Sequence, residues 1–330
     1  MKNYFVYAVV AAFALIGCTE KDVEPVAEDY ADEQEFTLNV SVPVATTKSM
    51  ANADDDAVDD VQILVFDENG LMEAYGSTVD GTEVSIRCTS GEKSVVAIVN
   101  GMNLSTARTR TGLQSMKSNL LYDNTPGHLV MDGEINFTID GSKTNYDITV
   151  PVRRMASKIS LGSVTLDFDI LHWEDTDFKI ESIYLINVAG TRNYISSTGP
   201  TAWYNKLGVE DNGKKDLIYD LLPTPAQVTI DAPYTGVHNF YCYPNPAADS
   251  SDPEWSPRST RFVIEATFDG EKCYYPVTMP VIARNKAYTV NLVIKRPGSS
   301  SPDEPVQTYW GDSNVIVQDW DEYVIVDKEL

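Results

Sequence analysis

Positive charge is scarce in this sequence. Its 330 residues hold 25 Lys and Arg against 49 Asp and Glu, a formal net charge of −24. A chain of that charge repels phosphate backbones and anionic membrane surfaces, so no nucleic-acid partner is expected. Histidine is scarcer still: His128, His172 and His238 lie far apart, and no two share the spacing of metal ligands. GxGxxG, HExxH and GxSxG are all missing, which removes the common dinucleotide, zinc-protease and hydrolase signatures. The nearest approach to a phosphate loop, Gly208 to Lys214, is followed by Lys215 where a magnesium-holding Ser or Thr belongs. It also carries Glu210 and Asp211 where phosphates would sit. The acids Asp54, Asp55, Asp56, Asp59 and Asp60 lack the glycine and distal glutamate of a calcium loop and are expected to be solvated. Glu174, Asp175 and Asp177 are neighbours in sequence, which does not place two carboxylates across a glycosidic bond. No catalytic residue, metal or cofactor is expected, and an enzyme is the least favoured class.

Long apolar runs are also missing. The first one, Phe5 to Leu15, spans about 11 residues, too short to cross a bilayer as a helix and suited to an export signal. It ends in Leu15-Ile16-Gly17-Cys18, the order of a bacterial lipoprotein processing site, so residues 1–18 read as a signal peptide with Cys18 as the lipidated residue. Acyl chains on Cys18 would hold the chain at the outer membrane. Residues 19–35, acidic and almost without aromatics, read as a tether. Beyond Cys18 only Cys88, Cys242 and Cys273 remain. That odd number permits at most one intramolecular disulfide, with Cys242 and Cys273 the nearer pair, or leaves the thiols unpaired.

What the rest of the chain has in quantity is short β-prone segments. In residues 36–44, Phe36, Leu38, Val40, Val42 and Val44 alternate with polar residues and Pro43, the period of a half-buried strand. Pro43 lacks an amide proton, which favours a sheet edge or a strand end. Further strands are expected at 61–67, 83–87, 94–100, 134–140 and 146–152, and then at 158–170, 179–190, 238–244, 260–270, 272–280 and 287–295. One helix is expected from Ser105 to Leu121, on the spacing of Leu113, Met116, Leu120 and Leu121. Residues 191–235, rich in Asn, Gly, Pro and Tyr, read as surface loops. The pattern is all-β: a sandwich over 36–153, a junction at Arg153-Arg154, a second sandwich over 154–296, and a Pro/Ser hinge opening a terminal segment, 297–330. Val315, Val317, Trp320, Val324 and Val326 make that segment β-prone again. A terminal strand beyond a hinge can leave its own domain.

These features, in this order, resemble the fimbrillins, or type V pilins. The likeness runs through the lipobox cysteine, the acidic tether, VQILVFDENG, GEKSVVAIVNGMNL, VPVRRMASKISL, YYPVTMPVIARNKAYTVNLVIKRPGSSSPDEPV and the final NVIVQDW. Arg284-Asn285, Tyr288 and the Pro-Gly and Pro hinge after them are its most specific parts. The resemblance implies two transthyretin-like β-sandwich domains in series and a lipoprotein precursor whose first strand, Phe36 to Val44, is removed by a processing protease. It also implies a C-terminal donor strand that fills the vacated groove of the next subunit in a cell-surface fimbrium. Lys48, the only basic residue between Lys21 and Arg87, is the candidate scission point; lysine departs from the arginine of the best-known members. Partners so implied are other fimbrial subunits and the protease. Two other readings stay open: a membrane-retained anchor or accessory subunit, and a surface glycan-binding lipoprotein. The second would use Trp203, Tyr204, Tyr234, Tyr241, Trp255 or Trp310 as stacking surfaces.

Overall fold

In the computed structural model the described residues are 34–43, 55, 57–79, 81–168, 170–173, 175–208, 216–304 and 313–319. Cys18, Val44, Lys48, Trp310, Trp320, Val324 and Val326 fall outside them.

The first half of the chain contributes β1 (Phe36–Ser41), β2 (Asp60–Phe66), β3 (Met72–Val79), β4 (Glu83–Cys88), β5 (Gly91–Val99), β6 (Lys117–Asn119), β7 (Met131–Ile139), β8 (Asn145–Thr149) and β9 (Arg153–Arg154). They form a three-stranded sheet ordered β4-β1-β8 and a five-stranded sheet ordered β3-β2-β5-β7-β9. Between the two sheets lies a core of Phe36, Leu38, Val40 and Val42 from the first strand, with Val61, Ile63 and Val65 from β2, Val95, Ala97 and Val99 from β5, and Tyr146 from β8. The opposite face of β2 and β5, with Leu64, Phe66, Val96 and Ile98, is buried as well, in a second and larger cluster. Being covered on both faces, these strands read as continuous apolar runs rather than strict alternations.

The second half supplies β10 (Ser157–Leu166), β11 (Phe178–Ile186), β12 (Val188–Ala189), β13 (Thr191–Asn193), β14 (Trp203–Tyr204), β15 (Tyr219–Val228), β16 (Asn239–Cys242), β17 (Arg261–Phe268), β18 (Glu271–Thr278), β19 (Lys286–Ile294) and β20 (Ser313–Asp319). Two four-stranded sheets, β16-β10-β19-β20 and β15-β11-β17-β18, enclose Ile159, Phe178, Ile183, Phe240, Phe262 and Val290 in the same large cluster that reaches Leu64 and Ile98. The apolar core is thus continuous across the Arg153-Arg154 junction, where β9 pairs with the start of β7.

Two expectations are corrected. The helix expected over Ser105–Leu121 is broken into α1 (Arg110–Ser115) and α2 (Leu120–Asp123), with β6 between them pairing with β13. Leu113 and Leu120 are buried as the stripe required, but Thr109 caps α1 late and Met116 already has extended backbone. Residues 191–235 are not loops throughout, because β15 runs ten residues along β11. Its prolines hid it. Ladder pairing passes from Ile180↔Ala226 to Ser182↔Leu221, so Pro223 and Pro225 lie in an irregularity of a strand with only one neighbour, where a missing amide proton interrupts no ladder.

Candidate functional site

The first strand lies in the middle of its sheet. It pairs antiparallel with β4, from Phe36↔Cys88 to Ser41↔Glu83, and parallel with β8, from Thr37↔Asn145 to Ser41↔Thr149. The pairing continues past its ends: Thr37 N donates to Thr144 O at 2.9 Å, Val42 N to Thr82 O at 2.9 Å, and Val150 N to Ser41 O at 2.9 Å. Phe36, Leu38, Val40 and Val42 are buried, with Leu38 and Val40 wholly so, and the Phe36 ring meets the Tyr146 ring edge-on at 6.1 Å. Pro43 follows the strand's end, exposed, where its missing proton is harmless. On the outer face Asn39 Nδ2 donates to Asp147 Oδ1 at 2.7 Å and Ser85 Oγ donates to Asn39 Oδ1 at 2.7 Å.

Since β4 and β8 are joined only through β1, withdrawing that strand would expose the inner edges of both. It would also empty apolar pockets that each stabilise by up to about 1.5–3 kcal/mol when filled. Such a slot is complete in its walls and unstable when vacant.

At the other end of the chain, β20 pairs antiparallel with β19, from Leu292↔Ser313 to Lys286↔Asp319, and among the described residues has no strand on its outer side. Val315 is half-buried against the core, Ile316 is exposed, and the Val317 backbone lies opposite Tyr288. Of the two strands singled out by the sequence, the first is paired on both sides and the last on one. The Pro/Ser stretch before β20 is tied down along its first part. Gly298 lies against the Tyr274 backbone, where a Cβ would come within 2.5 Å of the carbonyl oxygen, and Ser299 exchanges two backbone hydrogen bonds with Tyr274 at 2.9 and 2.8 Å. Asp303 then accepts from Arg258 Nη1 at 3.1 Å, Arg261 Nε at 3.2 Å and Asn187 Nδ2 at 2.9 Å.

A third assembly was not foreseen from the sequence. Asp55, expected in a solvated acid cluster, is buried, with Oδ2 2.6 Å from Lys158 Nζ and Oδ1 accepting from Tyr241 Oη at 2.7 Å. Its backbone carbonyl accepts from Arg154 Nε at 3.1 Å. Burial, and then the Asp55 charge, push the Tyr241 phenol well above its ordinary value. Beside it Arg284 pairs with the buried Asp132 at 2.5 Å, and Asn285, in the left-handed conformation that asparagine tolerates, accepts from Arg154 Nη1 at 3.3 Å. The sequence stretches VPVRRMASKISL and ARNKAY therefore meet here.

Chemistry is thin elsewhere. Among the described residues no group of His, Cys, Asp and Glu is placed to hold a metal ion. His128 Nδ1 lies 2.6 Å from Asp59, and His238 lies between Asp220 and Tyr234 at 2.6 Å each. Trp203 and Trp255 pack edge to face at 6.2 Å, and Lys206 and Arg258 each lie over the Trp255 ring at 5.5 Å from its centroid. Tyr241 is buried.

Cys88, Cys242 and Cys273 are free and buried. Burial pushes the thiols of Cys88 and Cys242 up to about 12, and that of Cys273 upward. An unfolded thiol ionises near pH ~8.5, so the unfolded chain holds fewer thiol protons above that pH and stability falls as pH rises from about 9 towards 12. In a chain starting after Cys18, a thiol reagent at pH 8 should label none of the three until denaturant is added. Stoichiometric labelling of the folded protein would contradict their burial.

Residues 28–326 match the family model of the Fimbrillin-A associated anchor proteins Mfa1 and Mfa2. The chain belongs to this family. Its fold is shared with solved structures at low identity. A proposed cell adhesion protein from Bacteroides eggerthii superimposes with a TM-score of 0.69 at 19% identity, over 87% of this chain and 96% of that one. The fimbrilin FimA of Porphyromonas gingivalis gives 0.60 at 16%, over 86% and 96%. The tip fimbrial protein Mfa3 of Porphyromonas gingivalis gives 0.51 at 12%, over 87% and 100%. No curated protein matches the chain by sequence. Membership confirms the fimbrillin resemblance and the all-β sandwich class, and makes this a structural protein of the cell-surface fimbrial kind rather than an enzyme. In this fimbrillin-family chain, the residues that sequence reasoning missed, Asp55, Asp132, Asp303 and the Arg258–Arg261 pair, are buried or half-buried polar groups held by long-range contacts. Arg258 and Arg261 had no local signal; the arginine and asparagine of ARNKAY did.

Proposed function

We propose that this family member is a structural subunit of a surface fimbria. It is exported as a lipoprotein through Cys18 and held at the outer membrane until a protease cuts after Lys48. It then polymerises when the C-terminal segment of one subunit fills the slot left by β1 in another. The observation that carries this reading is the position of β1: central, apolar on its buried face, and bridging two strands that do not otherwise pair. The asymmetry with β20, held on one side only, gives the direction of exchange, since the strand with fewer bonds leaves its place at lower cost. Adhesion follows from the polymer and its accessory subunits.

One observation favours a second reading: the matching family is described by its anchor proteins, so the chain would keep its lipid and its first strand and end a fibre at the membrane.

The deciding experiment treats the protein with a Lys- or Arg-specific protease and follows it by mass spectrometry and electron microscopy, beside Lys48→Ala and a chain ending before Asn314. Cleavage after Lys48 followed by filaments is expected in the wild type. Lys48→Ala should abolish both, and truncation should abolish filaments alone. A full-length monomer throughout would move the assignment to the anchor.

A further inference from the structure

Resting on the strand-removal reading, we propose that Asp55 is the positioning residue that seats the processed chain, holding its first residues on β10 and β16 so that the floor of the slot persists when β1 leaves. Any cut between Pro43 and Asp55 leaves Asp55 on the retained side. Five residues later begins β2, whose Val61, Ile63 and Val65 form part of that floor. Without a fixed point ahead of it, the end of β2 would become a free terminus beside an empty groove, the place where strands fray first.

The seat is built for a carboxylate. Lys158 and Tyr241 are directly opposite each other in the β10–β16 pairing, so an ammonium and a phenol stand side by side, one for each oxygen of Asp55. Both partners of the ion pair are almost wholly buried, with side-chain exposures of 5% for Lys158 and 3% for Asp55. Arg154 adds a bond to the Asp55 carbonyl, which fixes the main chain as well as the side chain. The residues that follow are tied in turn. Asn100 donates to Ala57 O at 2.8 Å and accepts from Asp59 N at 3.0 Å, and Asp59 lies 2.6 Å from His128. Asp55, Ala57 and Asp59 are thus each held ahead of β2 by partners that lie outside β1.

The test uses the full chain with residues 46–50 replaced by a recognition site for an unrelated protease, so scission does not depend on Lys48. After cutting, the N-terminal fragment is stripped in mild urea, and lysine methylation is followed by mass spectrometry before and after. Lys272, with its side chain 53% exposed, reports free access; Lys93, at 3%, reports the folded body. If the seat holds, Lys158 in the stripped chain reacts roughly tenfold or more slowly than Lys272, as it does before cutting, with Lys93 equally protected. Asp55→Asn should open Lys158 to the reagent in the stripped chain while Lys93 stays closed. Labelling of Lys158 at the Lys272 rate after stripping, labelling of Lys93 there, or a Lys158 as protected in Asp55→Asn as in the wild type would each overturn the proposal. Failure of the stripped chain to form filaments, with Lys158 still protected, would sink the assembly reading and leave the seat standing.

Discussion

Leu38→Ala is expected to cost the uncut chain about 2–5 kcal/mol of stability and to cost the processed chain nothing. The first figure follows from burial: Leu38 is wholly inaccessible, in the middle of β1, with neighbours from both sheets that would not close around a missing isopropyl group. The second follows from the proposal, because Leu38 departs with the strand. Urea unfolding of wild type and variant, each before cutting and after stripping of the N-terminal fragment, reads both. A difference that persists after stripping would mean that the strand was never released, whatever the mass spectrum says about the cut. Thr37→Ala, on the solvent side of the same strand, should change little in either state, since surface substitutions away from special contacts stay within about 0.5 kcal/mol.

The sequence makes the strands legible and the polar contacts between distant segments obscure, for one physical reason. Alternation in residues 36–44 encodes burial of one face, and that information is local; β1 and β19 keep the pattern nearly residue by residue. Where both faces are buried, as over Ile63–Phe66 of β2 and Val95–Val99 of β5, the run is apolar and the strand is still found, though its second face could not be assigned to a partner. β3, with MEAYGSTV half-exposed along its length at the sheet edge, had no pattern to read and escaped notice. Buried ions differ in kind. Nothing near Asp55 distinguishes it from Asp54 or Asp56; its fate is decided by Lys158 and Tyr241, more than a hundred residues away.

The motifs that carried the family resemblance fare better than single charges. In the sequence Arg153-Arg154 reads as a domain junction and Arg284-Asn285 as one of the most specific parts of the likeness. Arg284 reaches back to Asp132 and to the Arg153 carbonyl, and Asn285 reaches Arg154. The pattern is thus the trace of one buried polar joint, spread over two distant stretches of chain. The terminal region is the converse case. Its Pro/Ser composition reads as a hinge from residue 296 onward, yet Ser299 and Asp303 bind it to the body, because composition reports the absence of a local pattern and says nothing about a carboxylate captured by two arginines.

Removing that carboxylate should have the second large effect. Arg258 and Arg261 are 0% and 1% exposed at the side chain, and Asp303 faces both. Arg258 would keep its bonds to the carbonyls of Asp252 and Glu254, and Arg261 its pair with Asp249 and its bond to Thr278, so hydrogen bonding would survive in large part. Charge would not be balanced: Arg261 would keep Asp249, itself half-exposed, while the buried Arg258 would lose the carboxylate it pairs with. Breaking a buried pair from one side costs about 3–5 kcal/mol, and Asp303→Ala is expected to lose that much in urea unfolding. Asp303→Asn, which keeps one acceptor oxygen but sets an amide NH2 where the other carboxylate oxygen stood and loses the charge, should lose less. The same change lengthens the arm that carries β20. With Asp303 freed, the last fixed point moves back to Ser299, adding four residues, or about 13–14 Å of extended chain, to its reach. Subunits joined through a longer and looser arm should give filaments of less regular repeat, visible in electron micrographs of cut Asp303→Ala protein. A stability within 0.5 kcal/mol of wild type for Asp303→Ala would mean that the arginines are neutralised without it, and an unchanged repeat would place the pivot of the extension beyond residue 303 on grounds other than this clamp.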